Sequence, residues 1–163
     1  MHHSYHSAAP GGKIEFLSFQ LGGLEYGVEF GKVRELRTLK SLERFASDGA
    51  IVEGVAVSRG VIMPIVDMRV ACGERGARPD PATNVIILQL AGCVMGMVVD
   101  GVTDLVRIRP DEISPIPGAD GEAGCDYLIG LGEAEGRRLI LIDIDKLMSI
   151  KRDPAAAAAR RVA

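Results

Sequence analysis

Apolar residues in this chain fall in short runs, most of them broken by glycine, proline or aspartate. IEFLSFQL (14–21) alternates strand-forming residues with polar ones, Gly22-Gly23 makes a hairpin turn, and LEYGVEF (24–30) returns from it. Val33 to Arg37 continues as strand or as a short turn of helix. SDGAIVEG (47–54) reads as one helical turn capped by Ser47 or Asp48. VIMPIVDMRV (61–70) is a buried strand. Pro64 inside it has no N–H for a ladder, which predicts an edge or a bulge there. CGERGARPDPAT (72–83) is a loop by composition. NVIILQL (84–90), CVMGMVVD (93–100), VTDLVRIR (102–109), DYLIGLG (126–132) and RRLILID (137–143) are further strands. PDEIS (110–114) suits a helical turn opened by proline, PIPGADGEAG (115–124) is a loop, and DIDKLMSI (143–150) is a short helix with Asp143 or Asp145 at its start.

The runs recur. Phe16 to Leu36 align without gaps on Val85 to Leu105, 69 residues further on, with Gly27/Gly96, Val33/Val102, Glu35/Asp104 and Leu36/Leu105 among the pairs. A second block follows in both halves: Gly54/Gly130, Gly60/Gly136, Ile65/Leu141 and Asp67/Asp143. Two similar lobes, each too small to bury a good core alone, are expected to fold as one unit. The expected class is all-β, either a sandwich or paired barrels, and the repeat favours paired barrels, with short helices and a C-terminal helix. Lobe one spans about 22–82 and lobe two about 83–140, with terminal elements free to cross between them. The lead 1–13 and the tail 150–163 read as flexible.

Composition supports that class and narrows the chemistry. The 163 residues are 47% hydrophobic but only 4% aromatic, so the core is built of Val, Ile and Leu. The net charge of −3 weighs against a nucleic-acid surface. No apolar run reaches the ~18 residues of a membrane helix. Cys72, Cys93 and Cys125 have no metal-ligand spacing and read as reduced thiols of a cytosolic protein. After His6 there is no histidine, the commonest general base and metal ligand. No phosphate loop and no nucleophile elbow is present. Asp67 and Asp143, and likewise Asp100 and Asp104, read as turn-capping carboxylates at strand ends rather than as catalytic or metal-binding pairs. An enzyme or small-ligand sensor using the groove between the lobes is the rival class, with no residue constellation behind it.

One turn breaks the repeat. Val57-Ser58-Arg59-Gly60 in the first copy stands where the second has Glu133-Ala134-Glu135-Gly136. Arg59 is flanked by the apolar stretches GVAV and VIMPIV. A guanidinium fork at the lip of an apolar surface suits protein recognition. Glu35 is its nearest acidic candidate, either as an ion-pair partner or as a contact to another protein.

GVAVSRGVIMPIVDMR (54–69) resembles the signature of the CheW family of chemotaxis coupling proteins. LEYGVEFGKVRELR, MGMVVDGVTDLVRI and YLIGLGEAEGRRLILIDIDKLMS are similar to three further segments of that family, in the same order, over residues 14 to about 149. The resemblance implies two small five-stranded barrels sharing a hydrophobic core, and a non-catalytic, cofactor-free adaptor. It implies a free-standing cytoplasmic scaffold that joins a sensor histidine kinase, through the kinase's own CheW-like domain, to the cytoplasmic tips of chemoreceptors in membrane-associated arrays. By motif, Val33, Glu35, Leu36 and Arg59 fall on receptor-docking positions, and Gly54 and Gly60 on coupling and turn positions. The principal kinase contact is expected on lobe one. Ile116 and Pro117 are expected to make a weaker ring contact from lobe two. Two departures stand out: the family's usual Asn-Leu before Arg-Gly is Val57-Ser58 here, and 116–119 lacks a large aromatic.

Overall fold

The computed structural model describes residues 8–9, 12–38, 41, 43–45, 53–71, 83–116 and 127–152. In chain order the strands are β1 (Ala8–Ala9), β2 (Lys13–Leu21), β3 (Leu24–Glu29), β4 (Val33–Thr38), β5 (Glu43–Phe45), β6 (Glu53–Ser58) and β7 (Val61–Asp67). The helix α1 (Met68–Ala71) follows, then β8 (Asn84–Gln89), β9 (Val94–Val99), β10 (Gly101–Ile108), β11 (Ile113–Ser114), β12 (Leu128–Ala134), β13 (Arg137–Ile142) and the helix α2 (Ile144–Arg152). Single 3-10 turns stand at Phe30–Lys32 and Pro110–Glu112, the second where the proline-opened turn was expected.

The strands form two sheets. One runs β1-β2-β3-β13-β12-β11, with β10 also paired to β2; the other runs β4-β8-β9-β7-β6-β5. Setting aside the short β1, β5 and β11, each sheet has five principal strands. Each also curls so that its ends meet. In one, β10 comes against β12, where Ile108 packs on Gly132. In the other, Arg59 in the β6–β7 turn reaches Glu35 on β4.

The sheets do not divide the chain at 82/83. The hairpin β2–β3 belongs to the first copy but pairs with β12–β13 of the second, through the parallel ladder Ile140↔Tyr26 to Ile142↔Val28. The hairpin β8–β9 of the second copy pairs with β6–β7 of the first, through Ile65↔Gly96 to Asp67↔Val98. Each copy thus donates its opening hairpin to the other's sheet. Lobe one is strands β4 to β9, and lobe two is β2, β3 and β10 to β13.

The two lobes repeat down to the register. Val33↔Leu88 and Glu35↔Ile87 on β4–β8 match Val102↔Phe19 and Asp104↔Ser18 on β10–β2, each with a one-residue irregularity between the two pairs. The turns match as well: Arg59 and Gly60 have φ of 51° and 78°, and Glu135 and Gly136 have 52° and 76°. Positive φ at both central residues is the geometry of a tight two-residue hairpin.

Three apolar clusters account for these strands. Ile14 and Phe16 of β2 join Val106, Ile108, Leu139 and Leu141 inside lobe two. Val85 and Ile87 of β8 join Met63, Ile65 and Val98 inside lobe one. The alternate residues, Leu17, Phe19 and Leu21 of β2 and Ile86, Leu88 and Leu90 of β8, enter a shared core with Val66, Met97, Ile142, Ile144 and Met148. A strand buried on both faces reads as a continuous apolar run.

Some local expectations shift. Strand β7 is an interior strand, not an edge; Pro64 sits where it pairs with β6 alone, before the β9 ladder begins at Ile65. Glu53 and Gly54, expected in a helical turn, open β6, and 47–52 lie outside the described residues. Ala8–Ala9 pair with Lys13 and Ile14, and α2 runs to Arg152, so strand and helix extend into the lead and tail expected to be flexible; the rest of both lies outside the described residues.

A Cβ on Gly27 would stand 2.8 Å from Leu141 Cδ2, and one on Gly96 would stand 3.2 Å from Val85 Cγ1. Leu141 is fully buried. Gly27→Ala is expected to cost about 1–3 kcal/mol by overpacking, and Gly96→Ala less. Urea denaturation midpoints check the order; equal midpoints for Gly27→Ala and the native chain would mean that Leu141 turns aside without penalty.

Candidate functional site

Lobe one presents a charged cluster at its hairpin mouth. Glu35 and Arg37 lie on β4 opposite Ile87 and Val85, on the side facing the lobe's interior. Arg59 comes back from the β6–β7 turn. One oxygen, Glu35 Oε1, lies 3.2 Å from Arg37 Nη1 and 3.1 Å from Arg59 Nη2. The three side chains differ in exposure: 22% for Arg37, 29% for Glu35 and 78% for Arg59. An exposed pair of this kind adds only ~0.2–1 kcal/mol to stability, so its interest lies in what it presents.

Beside the turn, the register separates two faces. Ala56 and Met63 pair and point into lobe one; the next pair, Val57↔Ile62, points outward. Ile62 is 72% exposed, and Val61 and Pro64 are exposed too. In lobe two the equivalent pair is Glu133↔Arg138, joined by an ion contact of 3.4 Å. The same hairpin is therefore charged and solvated in one lobe and apolar in the other. Fully burying an isoleucine gains ~1.5–3 kcal/mol, a gain that Ile62 forgoes within this chain. Ile62 is the residue that reading along the sequence misses, because VIMPIV is apolar at both inward and outward positions. The signal lies in the repeat: Val57 aligns on Glu133 and Ile62 on Arg138.

The other expected site residues are dispersed. Val33 is half-buried and packs on the shared core. Leu36 is 45% exposed and pairs with Ile86, so it faces the opposite side of β4 from Glu35. Gly54 pairs with Ile65 on β6, and Gly60 completes the Arg59 turn. Ile116 is half-buried beyond β11 in lobe two, and Pro117 lies outside the described residues. The structure thus joins Glu35 to Arg59 directly but does not gather Leu36 and Ile116 with them.

The aspartates take turn and helix-start roles. Asp67 Oδ1 accepts from the Arg69 N–H and from its Nε, and Asp67 Oδ2 lies 2.9 Å from Arg69 Nη2, a buried two-pronged pair. Asp143 Oδ1 accepts from Lys146 N at the start of α2. Asp100 accepts from Gly22 N, and Asp104 from Leu105 N. No group of three metal-ligating side chains occurs among the described residues.

Asp145 fastens α2 at the seam. Its Oδ1 accepts from Ala91 N in the β8–β9 turn at 2.9 Å, and its Oδ2 lies 2.9 Å from Lys32 Nζ in the link between β3 and β4. The hydrogen bond that Lys32 donates to Asp145 raises the Lys32 pKa above its usual range; burial opposes this, and the charges of Asp145, Glu29 and Asp143 add to it.

The CheW-like domain family matches this chain over residues 15–152. The chemotaxis protein CheW of Klebsiella aerogenes is 42% identical over 135 residues, covering 83% of this chain and 81% of that one. CheW of Rhizobium meliloti is 30% identical, covering 89% and 94%, and the protein FrzA of Myxococcus xanthus is 30% identical, covering 88% and 90%. The scaffolding protein TtCheW of Thermoanaerobacter tengcongensis shares the fold, with a TM-score of 0.65 at 24% identity, over 80% of this chain and 89% of that one. The chain belongs to the CheW family.

The Lys32 pair contributes stability wherever lysine is charged in the folded state. A raised folded pKa means that this contribution is full below the ordinary lysine pKa and disappears as pH rises through the folded value. Asp145→Asn is expected to lose ~0.5–1 kcal/mol at neutral pH, and the gap to the native chain should narrow in strongly alkaline solution. Denaturation at a series of pH values checks it; a gap that widens at high pH would contradict the pairing.

Proposed function

We propose that this CheW-family chain is a non-catalytic adaptor of a bacterial chemosensory array. In this reading it works in the cytoplasm, binding the CheW-like domain of a sensor histidine kinase and the cytoplasmic tips of chemoreceptors beneath the membrane. The observation that carries it is the outward-facing apolar pair Val57↔Ile62 on lobe one, with Ile62 exposed and Val57 half-buried, where the sister hairpin is charged. An apolar centre with an arginine at its rim is the composition of a recognition hot spot. The match to the CheW-like domain over 15–152 supports the partner class. No helix among the described residues is long and apolar enough to cross a membrane, consistent with recruitment to arrays through protein partners.

Leu36, with Val33 behind it, offers an apolar edge for a receptor helix, and Arg59 and Glu35 give the rim its charge. Gly54 and Gly60 set the shape of the hairpin that bears Arg59. Ile116 and Pro117 on lobe two supply the secondary ring contact. Each link is weak alone, and the array gains its strength from many acting together.

Ile62→Arg places on lobe one the residue that lobe two carries at the equivalent position. It is expected to weaken co-sedimentation with receptor and kinase by about tenfold or more, with the melting temperature nearly unchanged. Glu133→Ala should leave binding intact. Undiminished binding by a folded Ile62→Arg chain would remove the hairpin from the interface.

A further inference from the structure

The charged cluster on lobe one has an anchored end and an exposed end. Arg37 is held from both sides. Its Nε donates to Ser41 Oγ at 3.0 Å, its Nη2 donates to the Ser41 carbonyl oxygen at 3.0 Å, and Ser41 Oγ donates to the Thr38 carbonyl at 2.7 Å. That leaves Nη1 aimed at Glu35 Oε1. Arg59 stands at the exposed end, in a turn, with Glu35 as its acidic neighbour.

The second lobe is an internal control. At the position of Arg37 it has Val106, which is 2% exposed inside that lobe, and at the position of Arg59 it has Glu135. There Asp104, the counterpart of Glu35, lies 3.6 Å from Arg137 instead. The fold therefore closes its mouth with a valine where lobe one has Arg37. A half-buried arginine costs desolvation that a valine avoids. What Arg37 supplies in exchange is a fixed donor to Glu35.

We propose that Arg37 is a positioning residue: it immobilises Glu35, and Glu35 in turn aims the exposed Arg59 guanidinium at an acidic group of the docking partner. This deepens the adaptor reading and rests on it. Long side chains in an exposed ion pair lose rotamer freedom to hold one geometry. With Glu35 already fixed by Arg37, only Arg59 has that freedom left to lose. Two guanidinium groups on one carboxylate also leave the cluster with a net charge of +1, which favours a carboxylate on the partner and repels a cation. Arg37 touches no partner in this scheme and acts only through Glu35.

The test compares the full chain with Arg37→Ala, Arg37→Lys, Arg59→Ala and the double variant Arg37→Ala/Arg59→Ala. Nitrogen relaxation of the Arg59 guanidinium reads positioning without any partner. Order there should fall in Arg37→Ala and partly return in Arg37→Lys; unchanged order in Arg37→Ala overturns the proposal. Co-sedimentation with receptor tips and kinase reads the consequence. Arg37→Ala should weaken binding by about fivefold in the native background and hardly at all once Arg59 is alanine, the pattern of coupled residues. An equal loss in both backgrounds would make Arg37 an independent contact and overturn the proposal. Failure of the unaltered chain to bind either partner would sink the adaptor reading alone, with the relaxation result still deciding on Arg37.

Discussion

The structure depends on two strands that are buried on both faces. β2 and β8 each send one set of side chains into a lobe and the other into the seam between lobes. Among the described residues the seam holds sixteen buried apolar side chains, against six and seven inside the lobes. Hydrophobic stabilisation follows apolar area removed from water, so most of it lies where the lobes meet rather than within either. The exchange of hairpins follows from that imbalance. A lobe made from one copy alone would lack the hairpin that supplies three of the six buried interior side chains described in lobe one, or two of the seven in lobe two, and would leave the seam face of another exposed.

Much of this was legible from the residues. Most strand positions and the tight turn at Gly22-Gly23 follow from local pattern, because each rests on periodicity and turn chemistry; β6 does not, since its opening residues read as a helical turn. The exchange was not legible. Ile65↔Gly96 and Leu141↔Gly27 are long-range parallel pairings, and an aligned repeat is equally compatible with each hairpin staying in its own lobe. Burial along β7 was hidden for a different reason. Met63 and Ile65 face inward while Ile62 and Pro64 face out, yet all four are apolar, so the alternation leaves no trace in composition. Glu35 and Arg59 were paired as candidates from the sequence. Arg37 was passed over because its anchor, Ser41, matters only once the chain bends back after β4.

Comparing the lobes sharpens the charge contrast seen at the hairpin turns. Arg59 against Glu135 suggests opposite signs, but Arg137 stands beside Glu135 and contacts Asp104 and Glu25. Those two carboxylates with Glu135 outnumber the one guanidinium, so the second turn stays acidic and is tied into its own sheet, while the first keeps an exposed cation next to exposed apolar residues. The contrast is one of availability as well as of sign. A hairpin whose charges are paired with each other offers a partner little that water does not already satisfy. One with an isoleucine in water offers a gain on contact.

The same strand carries both kinds of residue. Ile62, at the outer end of β7, lies in solvent; Ile65 lies within lobe one; Val66 lies in the shared core. Five residues span the distance from the exposed tip to the seam. A substitution at Ile62 alters exposed surface and leaves the core intact, while a truncation at Ile65 or Val66 opens a cavity in the free protein and costs stability directly. Surface and core can therefore vary separately along a single β-strand. The rigid part that makes this possible is the buried half of β7, held between β6 and β9 and ended by the Asp67–Arg69 pair. A hairpin fixed at its base in this way can present an apolar tip without collapsing onto it, which a free loop of the same sequence would do.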